Sequence, residues 1–165
     1  ARHVRRVATR VVIDPRLELP LASRLASSAR GVPVLCATTP AARADRADHA
    51  TLLTAAGVAV LETTPSRPPL QRPGHIDLRA LLAGLRATRG VSTLLVEAGP
   101  RLLGSLLAAN LVDEAIVFIA PIIFADDAAR PAAVGLETPR LTDALRMHLV
   151  DLRRSGPDAM MTLRR

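Results

Sequence analysis

Apolar positions follow two rhythms along this chain. Short, mostly apolar runs at residues 7–13, 33–38, 58–62 and 92–97 have the length of buried strands. The segments between them carry apolar residues at helical spacing. Residues 21–29 predict a short helix, and residues 40–56 a longer one, capped by Thr39 and terminated by Gly57. Residues 76–89 place Leu78, Leu81, Leu82 and Leu85 on one helical face, closed by Gly90. Leu102, Leu103, Leu106 and Leu107 do the same for a helix that opens at Pro100 and ends near Asn110. Alternating strand and helix predicts a mostly parallel sheet covered by helices. Beyond it, the run 114–124 reads as a central strand limited at its far end by Pro121, and 145–152 with 160–164 as an antiparallel hairpin across 155–158. Residues 63–74 and 125–141 read as loops. The fold class expected is α/β, three-layered, with a mostly parallel central sheet, a carboxyl-terminal antiparallel hairpin and a single domain over 1–165.

The junction at residues 97–100, Glu-Ala-Gly-Pro, joins the fourth run to its helix. Pro100 suits a first helical turn because it has no amide hydrogen to leave unpaired, and Gly99 admits close approach of a ligand to the backbone. The remaining amides would point outward at the positive end of the helix dipole, a physically sound seat for phosphate. Glu97 would stand beside it at the carboxyl end of the strand, where ligands bind in open α/β sheets. An ordinary strand-turn-helix unit, with Gly and Pro as punctuation only, satisfies the spacing equally well.

Composition narrows the chemistry. The formal charge of +7 comes from arginine alone and is scattered along the chain, whereas a nucleic-acid reader gathers its charge on one element. With Phe118 and Phe124 the only aromatics, a base-stacking surface has nothing to stack with. Cys36, the single cysteine, sits within an apolar run and reads as a core residue, which fits a reducing, cytoplasmic setting. No apolar run approaches the length of a membrane span. His3, His49, His75 and His148 are isolated from any second ligand at metal-binding spacing, so no metal is expected. Neither a G-x-S-x-G elbow in a strand-turn-helix context nor the G-x-G-x-x-G dinucleotide fingerprint occurs.

The wording of several segments is more specific than their rhythm. L-L-V-E-A-G-P-R-L-L-G-S-L-L followed by L-V-D-E-A-I-V-F-I-A-P resembles the reductase domains of the RibD family of riboflavin biosynthesis, which read L-V-E-G-G-P-x-L, then L-V-D-E and I-A-P. R-V-V-I-D-P-R-L-E-L-P, D-L-R-A-L-L and A-R-P match in the same order. The resemblance implies a dihydrofolate-reductase-like fold, NADPH as cofactor, a phosphorylated pyrimidine as substrate and a homodimer. Carried over position by position, it implies Glu97 for substrate contact and Gly99, Pro100, Arg101, Leu102, Leu103, Gly104 and Ser105 for the nucleotide. The strand before Asp14 also lies near the nucleotide in that family, where a serine commonly follows the aspartate. Pro15 stands there in this chain, so a contact and a plain turn are both open. The catalytic proton donor is unknown.

Three departures matter. Ala98 replaces the first family glycine, costing roughly 1 kcal/mol if a positive φ is required there. Pro121-Ile122-Ile123-Phe124-Ala125 lacks the family's Pro-Lys and following glycines. The upstream K-x-S-x-D-G, tryptophan-containing and G-T-V-x-x-D-D-P-x-L-T-x-R segments have no counterpart, and neither has the zinc deaminase domain. The chain, opening at Ala1 without methionine, is therefore expected to be an amino-terminally truncated domain exposing apolar surface. A non-catalytic remnant of the same fold that still binds a nucleotide or phosphorylated metabolite is the alternative.

Overall fold

A five-residue strand can be buried at every position only if both faces of its sheet are covered, and Val34–Thr38 is buried throughout. The structure is a computed structural model that describes residues 7–64, 75–136 and 140–165. The chain divides into two compact units, Ala1–Ser92 and Thr93–Arg165.

In the first unit, β1 (Arg10–Ile13), β2 (Val34–Thr38) and β3 (Val58–Glu62) form a parallel sheet in the order β1-β2-β3. The register sets Val12 beside Cys36 and Val60, and Val11 beside Leu35 and Ala59. Because side chains alternate across a strand, these rows belong to opposite faces. One face packs Val34, Cys36 and Val58 with Leu17, Leu19, Ala26, Ala50 and Leu53. The other packs Leu35 and Ala37 with Ile76, Leu81 and Leu85. Helices α1 (Arg24–Ser27), α3 (Ala47–Ala55) and α4 (Leu78–Arg89) supply Ala26, Ala50, Leu53, Leu81 and Leu85, while Leu17, Leu19 and Ile76 come from the segments between elements. Helix α4 has the expected leucine stripe, with the Asp77 carboxylate accepting from the Arg79 and Ala80 amides at one end and Gly90 left-handed at the other.

The helix expected over 40–56 is two helices, α2 (Pro40–Asp45) and α3, broken at Arg46 (φ −120°, ψ 41°). Thr39 caps the first as expected, and Gly57 follows the second at φ +96°. The two halves pack differently: α2 lays only the half-buried Ala42 against the core, whereas α3 buries Ala50 and Leu53 in it. The expected strand at 7–13 and helix at 21–29 are shortened to β1 and α1. Most of the loop expected over 63–74 lies outside the described residues.

The second unit contains α5 (Pro100–Ala108) and an antiparallel sheet of β4 (Glu114–Ile119), β5 (His148–Ser155) and β6 (Asp158–Arg164), in the order β4-β6-β5. The hairpin closes through Gly156-Pro157, with Gly156 at φ +61°, so the residue that needs the left-handed region has no Cβ. Glu114 and Arg164 are opposite one another in the register and their side chains pair at 2.6 Å.

Two expectations change here. The run 92–97 forms no strand: among the described residues nothing pairs with it, and Leu95 is 78% exposed. The strand begun at Glu114 stops at Ile119 and lies at a sheet edge instead of its centre. A strand exists only where a neighbour accepts its ladder, and an apolar composition cannot supply that neighbour. The strands accordingly form two sheets, one parallel and one antiparallel, within the expected α/β class. Ile116, Phe118, Ile122, Ile123 and Phe124 are exposed.

This difference is measurable. Leu53→Ala, at a position with no exposed surface, is expected to cost about 2–5 kcal/mol in urea unfolding followed by circular dichroism. Leu95→Ala is expected to stay within about 0.5 kcal/mol. A comparable loss for the two would mean that 93–97 is packed as a strand.

Candidate functional site

Helix α5 opens without a side-chain cap. Gly99 is its N-cap residue, in an extended conformation (φ −72°, ψ 169°), and its carbonyl accepts from the Leu103 amide at 3.2 Å. Pro100 occupies the first turn and has no amide hydrogen to place. Among the described residues, the amides of Gly99, Arg101 and Leu102 have no acceptor. These are the groups that every helix must satisfy from outside itself, and they lie at the positive end of its dipole.

The same turn borders an open depression of about 600 Å³ lined by Ala98, Gly99, Pro100, Arg101, Leu102 and Arg130. A Cβ built on Gly99 would meet nothing within 4 Å, so the space in front of this backbone is free. Ala98 is not among the residues with positive φ, and the strain considered for that position does not arise. The guanidinium groups of Arg101 and Arg130 form no ion pair or hydrogen bond among the described residues. Unpaired amides, two unpaired cations and an open apolar floor are the chemistry that receives a phosphorylated ligand.

The remaining residues singled out in the sequence divide clearly. Glu97 precedes the depression, is exposed, forms no ion pair among the described residues, and does not line the depression. Leu103 is half-buried on α5. Gly104 is buried against the backbone of Val134. The Ser105 hydroxyl donates to the Arg101 carbonyl at 2.9 Å, a bond within the helix. Pro15 lies in the first unit, where its carbonyl accepts from the Thr39 hydroxyl at 3.0 Å and the Thr38 hydroxyl at 3.4 Å. The Asp14 carboxylate accepts from the Leu19 amide at 2.7 Å. The polar groups of that turn are thus used to hold it. Arg130 was not singled out, although it is the middle residue of the A-R-P segment that matches the family wording.

Cys36 is fully buried, and its sulfur lies 4.0 Å from an Asp14 oxygen. Burial, reinforced by the Asp14 charge, pushes its thiol from about 9.0 to about 12. The sulfur is a core atom and no nucleophile. His49 Nε2 lies 2.9 Å from the Leu19 carbonyl oxygen, in a structural contact. Among the described residues, no group of three or more His, Cys, Asp or Glu could hold a metal ion, and no helix is long and apolar enough to cross a membrane.

The chain is a mixed α/β protein with an uncapped helix start beside two arginines. The chain belongs to the RibD C-terminal domain family, whose model matches residues 1–161. It is 40% identical over 94 residues to riboflavin biosynthesis protein RibD of Escherichia coli K12, covering 56% of this chain and 25% of that protein. It is 42% identical over 74 residues to the RibD of Haemophilus influenzae, covering 45% and 20%. The matched segments thus span a quarter or less of these curated relatives. Among solved structures, RibD of Acinetobacter baumannii (form 2) superposes with a TM-score of 0.73 at 26% identity, over 94% of this chain and 37% of that one. A pyrimidine reductase-like protein of Corynebacterium diphtheriae shares the fold, with a TM-score of 0.66 at 20% identity over 96% and 60%.

The buried thiol makes a pH prediction. The folded state holds Cys36 neutral to about 12, whereas the unfolded thiol ionises near 9.0. Its contribution to stability is complete below about 9 and is lost as the pH rises toward 12. Folded protein at pH 8 is expected to resist a thiol reagent that reacts at once after denaturation. Rapid labelling of the folded chain would contradict the core assignment.

Proposed function

We propose that this chain is the NADPH-binding reductase domain of a riboflavin-biosynthesis enzyme, reducing the ring-opened ribose of 5-amino-6-(5-phosphoribosylamino)uracil to the ribityl product. The observation that carries this reading is the uncapped start of α5. In a chain belonging to the RibD C-terminal domain family, the segment that matches the family wording is also the segment whose amides are unpaired among the described residues and which has Arg101 and Arg130 beside it.

The residues present fit a dinucleotide phosphate. The amides of Gly99, Arg101 and Leu102 would donate to its oxygens, and Pro100 fixes the turn that aims them. Bound NADPH would supply the hydride. The chain's own task is then to fix donor and acceptor in one geometry, which can lower a barrier by several kcal/mol, roughly 7–11 in well-oriented model reactions. The Glu97 carboxylate would accept hydrogen bonds from substrate hydroxyl or amino groups and hold the ribose in place. Leu103, Gly104 and Ser105 support the seat through backbone shape, and Pro15, in the first unit, is not assigned to it. The reading carries with it a single reductase domain acting in the cytoplasm as a homodimer, on a small molecule and not on nucleic acid or membrane. The exposed edge strands β4 and β5 support pairing between copies.

The test compares the 165-residue chain with Gly99→Asp and Glu97→Gln by calorimetry and by NADPH consumption with substrate. The wild-type chain is expected to bind NADPH at micromolar concentration and to consume it. Gly99→Asp places a carboxylate in the open space before the helix start. It is expected to abolish binding while leaving the fold as stable or about 0.5 kcal/mol more so, because Asp is the better N-cap. Glu97→Gln is expected to retain NADPH affinity and to lose substrate turnover. A folded wild-type chain that binds no NADPH would defeat the reading.

A further inference from the structure

The loop between β4 and β5 is held against α5 by backbone. The Val134 amide donates to the Pro100 carbonyl at 3.1 Å, and a Cβ built on Gly104 would lie 1.8 Å from the Val134 carbonyl oxygen. No side chain fits between the two elements at this point, so Gly104 is the condition for their contact. Earlier in the loop, the Asp126 side chain accepts from the Ala128 amide at 2.9 Å and its carbonyl from the Ala129 amide at 3.0 Å. This turn and the fixed φ of Pro131 bracket Arg130. The result is that Arg130 lines the same depression as the α5 start, and its guanidinium has no partner among the described residues.

We propose that Arg130 is a phosphate-binding residue of this seat, closing with Arg101 on the diphosphate bridge of the dinucleotide. The proposal rests on the nucleotide reading above and deepens it. The depression is open and runs along the backbone from Ala98 to Leu102. It therefore suits a linker that continues on both sides into a nucleoside, whereas a terminal phosphate is better served by a closed socket. Guanidinium is the suitable cation because its planar fork matches adjacent phosphate oxygens. Arg130 comes from a different segment than the amides, so the depression is lined by groups of both the loop and the helix start.

Calorimetry on the full chain tests this with wild type, Arg130→Gln, Arg130→Lys and Gly104→Ala, each titrated with NADPH, NADH, inorganic pyrophosphate and ribose 5-phosphate. Arg130→Gln is expected to weaken NADPH, NADH and pyrophosphate in parallel, by about fivefold to tenfold, and to leave ribose 5-phosphate unchanged. Its melting temperature should equal that of wild type, since the side chain is exposed and unbonded. Arg130→Lys should recover part of the loss, keeping the charge without the fork. Gly104→Ala, which displaces the loop, should produce the same loss, and adding Arg130→Gln to it should produce no more.

Unchanged affinities in Arg130→Gln would overturn the proposal. So would a loss confined to NADPH, which would place Arg130 on the 2′-phosphate, or one confined to ribose 5-phosphate, which would place it on a substrate phosphate. In each of these cases wild-type NADPH binding would leave the nucleotide reading standing. Wild-type protein that binds pyrophosphate through Arg130 but takes neither dinucleotide would uphold the phosphate role and defeat the nucleotide reading. Binding of no probe at all would defeat both.

Discussion

A helix that begins without a side-chain cap leaves its first amide hydrogens to be satisfied from outside, and the carboxyl-terminal unit is arranged around that constraint. Gly99 caps α5 by conformation alone, Pro100 removes one donor, and the amides of Gly99, Arg101 and Leu102 stay open among the described residues. A polar side chain at position 99 would close the site from within. Gly104, one turn further, lets the Val134 backbone rest on the helix and brings Arg130 to the same opening. Two glycines thus have distinct tasks: one keeps the helix start free, the other lets a distant loop reach it.

The first unit shows the opposite use of polar groups. At the carboxyl end of its parallel sheet, Thr38, Thr39 and Thr63 are buried and bonded internally. Thr39 caps α2 and also donates to the Pro15 carbonyl, while the Thr38 carbonyl accepts from Thr63. Asp14 holds the turn that follows β1. Buried polar groups must be paired, and here they pair with one another. A ligand would have to displace those bonds, whereas at α5 it would complete unmade ones. The contrast explains why Asp14-Pro15 reads as structural and Gly99–Leu102 as receptive.

Local signals were legible in the sequence, and pairings between distant segments were not. The leucine stripe of α4 with Asp77 before it and Gly90 after it, the Thr39 cap, the β2 and β3 runs and the Gly156-Pro157 hairpin all rest on neighbours within a few residues. The break at Arg46 carries no Gly or Pro to announce it, since A-A-R-A-D-R-A is composed of good or tolerated helix formers. The apolar run 92–97 has the composition of a strand, yet no partner pairs with it among the described residues. The turn of the candidate site was readable because its backbone donors lie in one short stretch, Gly99 to Leu102, which Gly99 and Pro100 announce. Arg130 was hidden because what brings it there is a contact between Gly104 and Val134, which no periodicity records.

The central claim, that the start of α5 is a nucleotide seat, is tested most directly by following backbone amide resonances of the full chain while NADPH is added. The largest shifts are expected at Gly99, Arg101 and Leu102, where the donors are free, with Leu53 and Cys36 unmoved in the core of the first unit. NADPH that binds while those three amides stay in place, or a folded chain that shows no shifts at saturating NADPH, would contradict it.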